Sequence, residues 1–453
     1  MLNYIWLSLM LCAVLIGGWN GQLKEVADKA LEMADTAVVK ISFALIGVMA
    51  LWLGIMRLAE RAGLVALLAR ALRPLMRKIF PEVPPEHPAM GSMLMNIAAN
   101  MLGLGNAATP LGLRAMKDLE SLNPRPGTAT NAMCTFLAIN TSGIQLIPVT
   151  AIAILAANKS TNPTAIVGTS IICTACAAVC GVTMAKFLSK LPVFREKVEM
   201  GNRKPEMNQG LLASAPTNKN EEKPAVKEAV TLQPMQWWGN AIFAAFLLFF
   251  AFLFLRMVFP ETFGQQLFAE ALKQTLFIRI VSAVSLLAIP FLLAAIPLFA
   301  ALRQVKVYEE FVDGAKEGFD VAIRIIPYLV AMLVAVGMFR AAGGIDMLSR
   351  VLAPVFSKLG FPTELLPMVL VRPLSGSGSL GFFTELVKEF GPDSLIARMA
   401  GTIYGSTETT FYVLAVYFGS VAIKRTRHAL LAGLTADLVS VIVAVTVCRI
   451  VFG

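Results

Sequence analysis

The sequence predicts an all-α integral membrane protein with two inverted repeats, each holding a re-entrant helical hairpin and a broken transmembrane helix, plus extra spanning helices. Three observations lead there. The 453 residues are 57% hydrophobic and 15% charged, and apolar runs of about twenty residues, the length that crosses a bilayer, recur throughout; the short alternating segments of a membrane barrel do not. Several runs are interrupted at their centres by Gly, Ser, Thr and Asn, which a bilayer tolerates only where irregular backbone faces protein, water or a ligand. The order of elements in the first part of the chain then recurs near the end.

Residues 2–19 are the first apolar run. With no basic start and no small-residue cleavage site, they read as a retained helix rather than a signal peptide. Residues 20–37 are amphipathic and 38–56 make the second span. Arg70, Arg73 and Arg77 then share one helical face opposite Leu64, Leu68 and Leu72. That pattern describes an interfacial helix on the cytoplasmic surface, bent or ended near Pro74. Residues 90–116 are broken at Leu102-Gly-Leu-Gly-Asn-Ala-Ala-Thr-Pro110 into arms too short to span, the signature of a re-entrant hairpin. Residues 129–156 span with an interruption at Asn140-Thr-Ser-Gly143, and 164–185 return. Residues 190–236, rich in Lys, Glu, Asn and Pro, read as a flexible cytoplasmic linker.

Spans follow at 237–257 and 278–301, joined to a charged, amphipathic stretch at 303–324. The first pattern then repeats: a span at 325–342, a hairpin at 363–390 with tip Leu374-Ser-Gly-Ser-Gly-Ser379, a broken span at 396–420 centred on Gly405-Ser-Thr-Glu408, and a last span at 429–450. Gly63, Arg70, Leu72, Pro74 and Lys78 fall opposite Gly343, Arg350, Leu352, Pro354 and Lys358, and Asn140-Thr-Ser-Gly143 falls opposite Gly405-Ser-Thr-Glu408. The divisions are 1–189 for the first repeat, 190–236 for the linker, 237–302 for connecting helices and 303–453 for the second repeat.

Charge orients the chain. With 57–87, 114–127, 186–236, 303–324 and 424–427 inside, that side holds 25 of the 39 Lys and Arg residues, as the positive-inside rule requires of an inner (plasma) membrane protein with several spans. The net charge of +10 is accounted for by these loops, so nucleic acid is not an expected partner. Cys173, Cys176 and Cys180 are spaced like metal ligands but lack His or acidic companions, and read as packing thiols. No phosphate loop, zinc-protease motif or nucleophile elbow is present, so neither an enzyme nor a cofactor is implied.

The four interruptions are expected to converge on a small polar solute near the bilayer midplane, because broken helices leave free N–H and C=O groups. The candidate lining is Asn106, Thr109, Asn140, Thr141, Ser142, Gln145, Ser375, Ser377, Ser379, Ser406, Thr407, Glu408 and Thr409. Close helix packing is the competing explanation for the small residues among them. Glu408, whose repeat counterpart is Gly143, can bind a donor-rich ligand, a cation or a proton, or pair with Arg372. Arg372, Glu408 and Asp437 are the coupling or gating candidates; Asp437 lies roughly 12 Å into the last span. Asn96 and Asn100 share one face of the first hairpin arm. The expected partners are therefore the lipid bilayer, the solute and a coupling cation or proton, with a homo-oligomer left open.

The residues also carry a family resemblance. Gly103-Leu-Gly-Asn-Ala-Ala-Thr-Pro-Leu-Gly112 and Ala132-Met-Cys-Thr-Phe-Leu-Ala-Ile-Asn-Thr-Ser142 resemble the spore maturation protein A family. Arg372-Pro-Leu-Ser-Gly-Ser-Gly-Ser-Leu-Gly381 and Gly405-Ser-Thr-Glu-Thr-Thr-Phe-Tyr-Val-Leu-Ala-Val-Tyr-Phe-Gly-Ser420 resemble the spore maturation protein B family. The chain is similar to a fusion of the two over nearly everything except the linker. The resemblance implies nucleoside-recognition gate domains, shared more distantly with concentrative nucleoside transporters. In those a Gly-Gln-Thr-Glu hairpin motif contacts the nucleoside base; Gly405-Ser-Thr-Glu408 is similar, with Ser406 in place of the Gln. It implies a transporter-like inner-membrane protein binding a small polar, nucleoside-like solute. A non-transporting platform for envelope or spore maturation, with 190–236 as a docking segment, is the alternative.

Overall fold

The computed structural model describes residues 2–103, 105–194, 235–263, 274–344, 347, 350 and 360–453. Among these every regular element is helical, and one isolated bridge joins Thr128 to Arg425. The predicted linker lies almost wholly outside the described residues, as do Leu352, Pro354 and Lys358 of the repeat alignment.

The first half runs α1 (Leu2–Trp19), α2 (Leu23–Asp35), a π-helical stretch Thr36–Ser42, α3 (Phe43–Arg61) and the amphipathic α4 (Leu64–Ile79). The first hairpin follows as α5 (Pro88–Met101) and α6 (Gly105–Glu120). Pro88 starts α5 at a position where a missing N–H costs nothing, and the His87 ring caps it by accepting from the Ala89 N–H at 3.2 Å. The next span is two half-helices, α7 (Asn131–Thr141) and α8 (Val149–Ala157), before α9 (Ile166–Leu188).

Beyond the linker come α10 (Trp237–Val258), the short α11 (Pro260–Phe263), α12 (Leu276–Leu302) and α13 (Val307–Ala341). The second hairpin is α14 (Leu366–Val371) with α15 (Gly376–Phe390); the second broken span is α16 (Leu395–Gly405) with α17 (Thr410–Gly419); α18 (Ala429–Phe452) closes the chain. Ser375 and Ser394 start α15 and α16 by accepting from Gly378 N–H and Ala397 N–H. Among the described residues four helices, α9, α10, α12 and α18, are long and apolar enough to cross a membrane. On α10, Leu248 and Phe249 are exposed on a helix that is apolar all round; such a surface is stable facing hydrocarbon and not water. The chain is an all-helical membrane protein.

Two expectations change. The charged stretch 303–324 and the span 325–342 are one 35-residue helix, α13, continuous through Pro327. Its charged start is accommodated by α3: Glu310 accepts from Arg57 Nε at 3.1 Å and Arg61 Nε at 3.0 Å. The hairpin tips are also shorter than the sequence suggests, since Gly105 to Pro110 and Gly376 to Ser379 form the first turns of α6 and α15.

Contacts at helix ends fall into two sets, one at each end of α13. With Glu310 belong Arg303 to Ala62 O at 2.6 Å, Lys186 to Lys78 O at 3.3 Å, and the Lys424 and Arg425 N–H groups on Gly127 O. With Ala341 belong Asn20 to Ala342 O at 3.0 Å and Ser160 to Asp393 at 2.6 Å. The first hairpin opens toward the first set and the second hairpin toward the second, where Arg340 meets Glu385 at 3.5 Å and also Glu389. Between them, elements from both halves of the chain bury Phe136, Phe383 and Phe418 in one core.

Candidate functional site

The two broken spans meet at their breaks. Carbonyls at the end of a helix run short of backbone partners, and the polar residues at both breaks fold back onto the carbonyls of the last turn. Thr141 donates to Ala138 O at 3.0 Å, Ser142 to Ile139 O at 2.7 Å, Ser406 to Thr402 O at 2.7 Å and Thr407 to Ile403 O at 3.0 Å. The Glu408 N–H then crosses to Thr141 O at 3.0 Å. Gly143, at φ +54°, lies against the second break so closely that a Cβ there would sit 2.9 Å from Thr407 C and 3.2 Å from Glu408 N. Gly143 thus touches the peptide unit that carries Glu408.

Two cavities flank this crossing. One of about 220 Å³ is lined by Asn100, Thr109, Asn140, Tyr412 and Tyr417. One of about 120 Å³, on the side of the second hairpin, is lined by Thr150, Arg372, Tyr404 and Thr409. Gln145 and Glu408 line both. Their side chains form the wall between the cavities, tied by Gln145 Nε2 donating to Glu408 Oε1 at 3.1 Å.

The larger cavity has a fixed polar lattice. Asn140 Oδ1 accepts from Asn100 Nδ2 at 2.9 Å and from the Tyr417 hydroxyl at 3.2 Å, while its own amide donates to Phe136 O. Asn96 is fully buried and donates to Ala108 O at 2.8 Å and Tyr417 OH at 3.3 Å. Tyr417 in turn stacks on Phe136 with ring centroids 6.1 Å apart. On the other side Arg372 is buried with its guanidinium 4.4 Å from the Tyr404 ring. It donates to Tyr404 O at 2.9 Å, to Thr407 Oγ1 at 3.1 Å and to Thr407 O. Among the described residues it makes no ion pair with Glu408; it holds the carbonyls that the end of α16 leaves free.

The placement of the sequence candidates divides them. Thr109, Asn140, Gln145, Thr409 and Glu408 face cavities. Thr141, Ser142, Ser406 and Thr407 are buried and engaged with backbone at the breaks. Ser375 caps α15, Ser377 lies 3.3 Å from it, and Ser379 donates to Gly376 O. Asn106 lies in the first turn of α6, and its side chain is outside the described residues. Asp437 is buried behind the second break, where Thr410 Oγ1 donates to Oδ2 at 2.5 Å and Oδ1 has no hydrogen-bond partner among the described residues. The sequence reading missed Tyr404, Tyr412 and Tyr417. Their signal was distribution: three of the six tyrosines fall within fourteen positions around Glu408.

Comparison with known proteins adds family information. The Gate family, described as nucleoside recognition, matches residues 42–191 and 322–424. Spore maturation protein B of Bacillus subtilis (strain 168) is 46% identical over 175 residues, covering 39% of this chain and 98% of that protein. Spore maturation protein A of the same organism is 44% identical over 187 residues, covering 41% of this chain and 95% of that protein. No solved structure matches.

Proposed function

The chain belongs to the Gate family of nucleoside-recognition proteins, and from that premise we propose that it is a transporter-like protein of the inner (plasma) membrane with several spans. Two inverted gate repeats, within 1–189 and 303–453 and joined through 190–236 and 237–302, would bind a small polar solute of the nucleoside class between them. The observation that carries this reading is the wall of Gln145 and Glu408 with a cavity on either side. A carboxylate reachable from two cavities, at the contact of two broken helices, is the arrangement an alternating site requires. The opposed openings of the two hairpins support the inversion. The larger cavity offers the carboxylate and amides as hydrogen-bond partners and tyrosine rings for a flat heterocycle. At about 220 Å³ it is smaller than the roughly 300–1,000 Å³ of ordinary ligand pockets, so the solute is small. The chemistry performed is binding and passage, with no bond made or broken. Asp437, buried with one free oxygen, is the coupling candidate for a cation or proton.

The test compares metabolite pools in deletion cells carrying the wild-type chain, Glu408→Gln or Gln145→Ala at matched membrane abundance, with nucleosides as the first solutes in thermal-shift assays. Altered pools and a lost nucleoside shift in Glu408→Gln are expected; unchanged pools and shifts in both variants would overturn the assignment. A second reading, a non-transporting maturation platform, takes support from the relatives' names. It expects deletion of the linker 190–236, and not Glu408→Gln, to abolish the phenotype.

A further inference from the structure

A third cavity lies away from the breaks, at the end of the molecule where α4 and the first hairpin meet. It measures about 400 Å³ and sits between α4 and the first hairpin arm α5. Arg70, Arg73, Glu86 and His87 form its rim; Met90, Leu94 and Met95 line it below. The two parts differ in chemistry, and the helix that joins them explains why. On α4, Leu64, Leu68 and Leu72 pack on the core, opposite the face that carries Arg70, Arg73 and Arg77, while Leu67 and Leu75 stay exposed. A helix with an apolar face and guanidiniums on the opposite one rests at the surface of a bilayer.

The rim is cationic and available. Arg70 makes no ion pair among the described residues. Arg73 and Arg77 reach Glu86 at 3.5 and 3.9 Å, but Glu86 is 87% exposed, so those pairs are solvated and hold little. His87 accepts the Ala89 N–H through Nδ1, which leaves the proton on Nε2 as a further donor. We propose that this cavity binds the headgroup phosphate of an anionic phospholipid of the cytoplasmic leaflet, with Arg70, Arg73 and His87 as donors and the acyl chains against Met90, Leu94 and Met95. Guanidiniums match phosphate oxygens in pairs, and basic recesses on the cytoplasmic side suit anionic headgroups. A free phosphate would leave the methionine and leucine floor unused. The bound lipid would brace the first hairpin against α4.

The experiment uses the purified full chain in phosphatidylcholine vesicles with and without phosphatidylglycerol, read by thermal unfolding and by native mass spectrometry of retained lipid. Two variants probe the two halves of the site. Arg70→Gln with Arg73→Gln removes the two guanidinium donors and leaves His87. Gly91→Leu fills the cavity from a helical position where an added Cβ meets nothing within 4 Å, so the fold is kept. Phosphatidylglycerol is expected to raise the melting temperature and be retained, and each variant to weaken its apparent affinity by about tenfold or more, the loss of one charge-assisted hydrogen bond or of the chain contact. Equal stabilisation by phosphatidylcholine alone, or full retention of phosphatidylglycerol by either variant, overturns the proposal. An equal shift from glycerol 3-phosphate or inorganic phosphate overturns it in favour of a free-anion site. A variant that melts lower in phosphatidylcholine is judged by retained lipid alone.

Discussion

Gly143→Ala tests whether the contact of the two breaks is a structural fact with energetic weight. The backbone at 143 has φ +54°, and an alanine held there costs about 1–2 kcal/mol. The new methyl would sit 2.9 Å from Thr407 C, 3.2 Å from Glu408 N and 3.2 Å from Thr407 Cα. These are all backbone atoms, so no side chain can swing aside, and overpacking of this kind costs roughly 1–3 kcal/mol more. Reduced freedom of the unfolded chain returns about 0.4–1 kcal/mol. The expected net loss is about 1–5 kcal/mol, or else the segment 406–409 shifts and the Glu408 N–H leaves Thr141 O. The assay is thermal unfolding of the purified protein, with Gly91→Ala as the control. Gly91 lies inside the helix α5, but its added methyl meets open space and helix propensity then favours alanine by about 0.5–1 kcal/mol. A Gly143→Ala protein as stable as wild type would refute the crossing, as would equal losses in both variants.

Two further outcomes follow from side chains on either side of that crossing. Arg372→Met should lower the melting temperature strongly, because Tyr404 O and Thr407 O lose their donor and each orphaned carbonyl costs about 1–3 kcal/mol; Arg372→Lys, with a single ammonium in place of a planar fork, should recover only part of the loss. At the end of the molecule where Ala341 lies, partial burial works against ionisation of Asp393, yet hydrogen bonds from Ser160 and Thr161 hold its carboxyl below its ordinary value of 3.8. The folded state therefore binds the proton more weakly than the unfolded one, and the contribution is complete above that ordinary value and lost as pH falls through the lowered one. Melting curves of wild type and Asp393→Asn should differ at neutral pH and converge in strong acid; a difference that persists there would contradict the assignment.

The breaks and the first hairpin were legible in the sequence because small and polar residues inside apolar runs have few other uses. Asn140 to Gly143 and Gly405 to Glu408 are where the helices stop. The joined helix α13 was hidden for the opposite reason. Charges at 306–317 look like the end of a span until Glu310 is seen to meet Arg57 and Arg61, some 250 positions earlier in the chain. The tyrosine lining was hidden because an aromatic residue in a membrane segment is ordinarily packing. What makes Tyr417 part of a polar lattice is Asn96 and Asn140, contributed by the other half of the chain. Serines 375 and 379 illustrate the converse: their composition suggested ligand contact, and the structure occupies them with caps and local backbone.

The difference between Gly143 and Glu408 follows from the contact itself. Two breaks that approach within van der Waals range cannot both carry side chains at the crossing; one must be glycine so that the other can lay its peptide against it. Two carboxylates at equivalent places would also repel, with neither easily ionised. One carboxylate in a shared wall is the arrangement that remains, and Gln145, two residues beyond the glycine, supplies its partner from the opposite break. Removing one partner of a buried hydrogen bond costs about 1–3 kcal/mol, so losing it shifts a two-state wall by roughly fivefold to a hundredfold. On the reading proposed above, a solute that offers Glu408 a better donor than Gln145 could open the wall from whichever side it entered. The sensitive variant is then Gln145→Ala, which leaves the carboxylate in place: it should weaken the distinction between the two sides while Glu408→Gln abolishes binding.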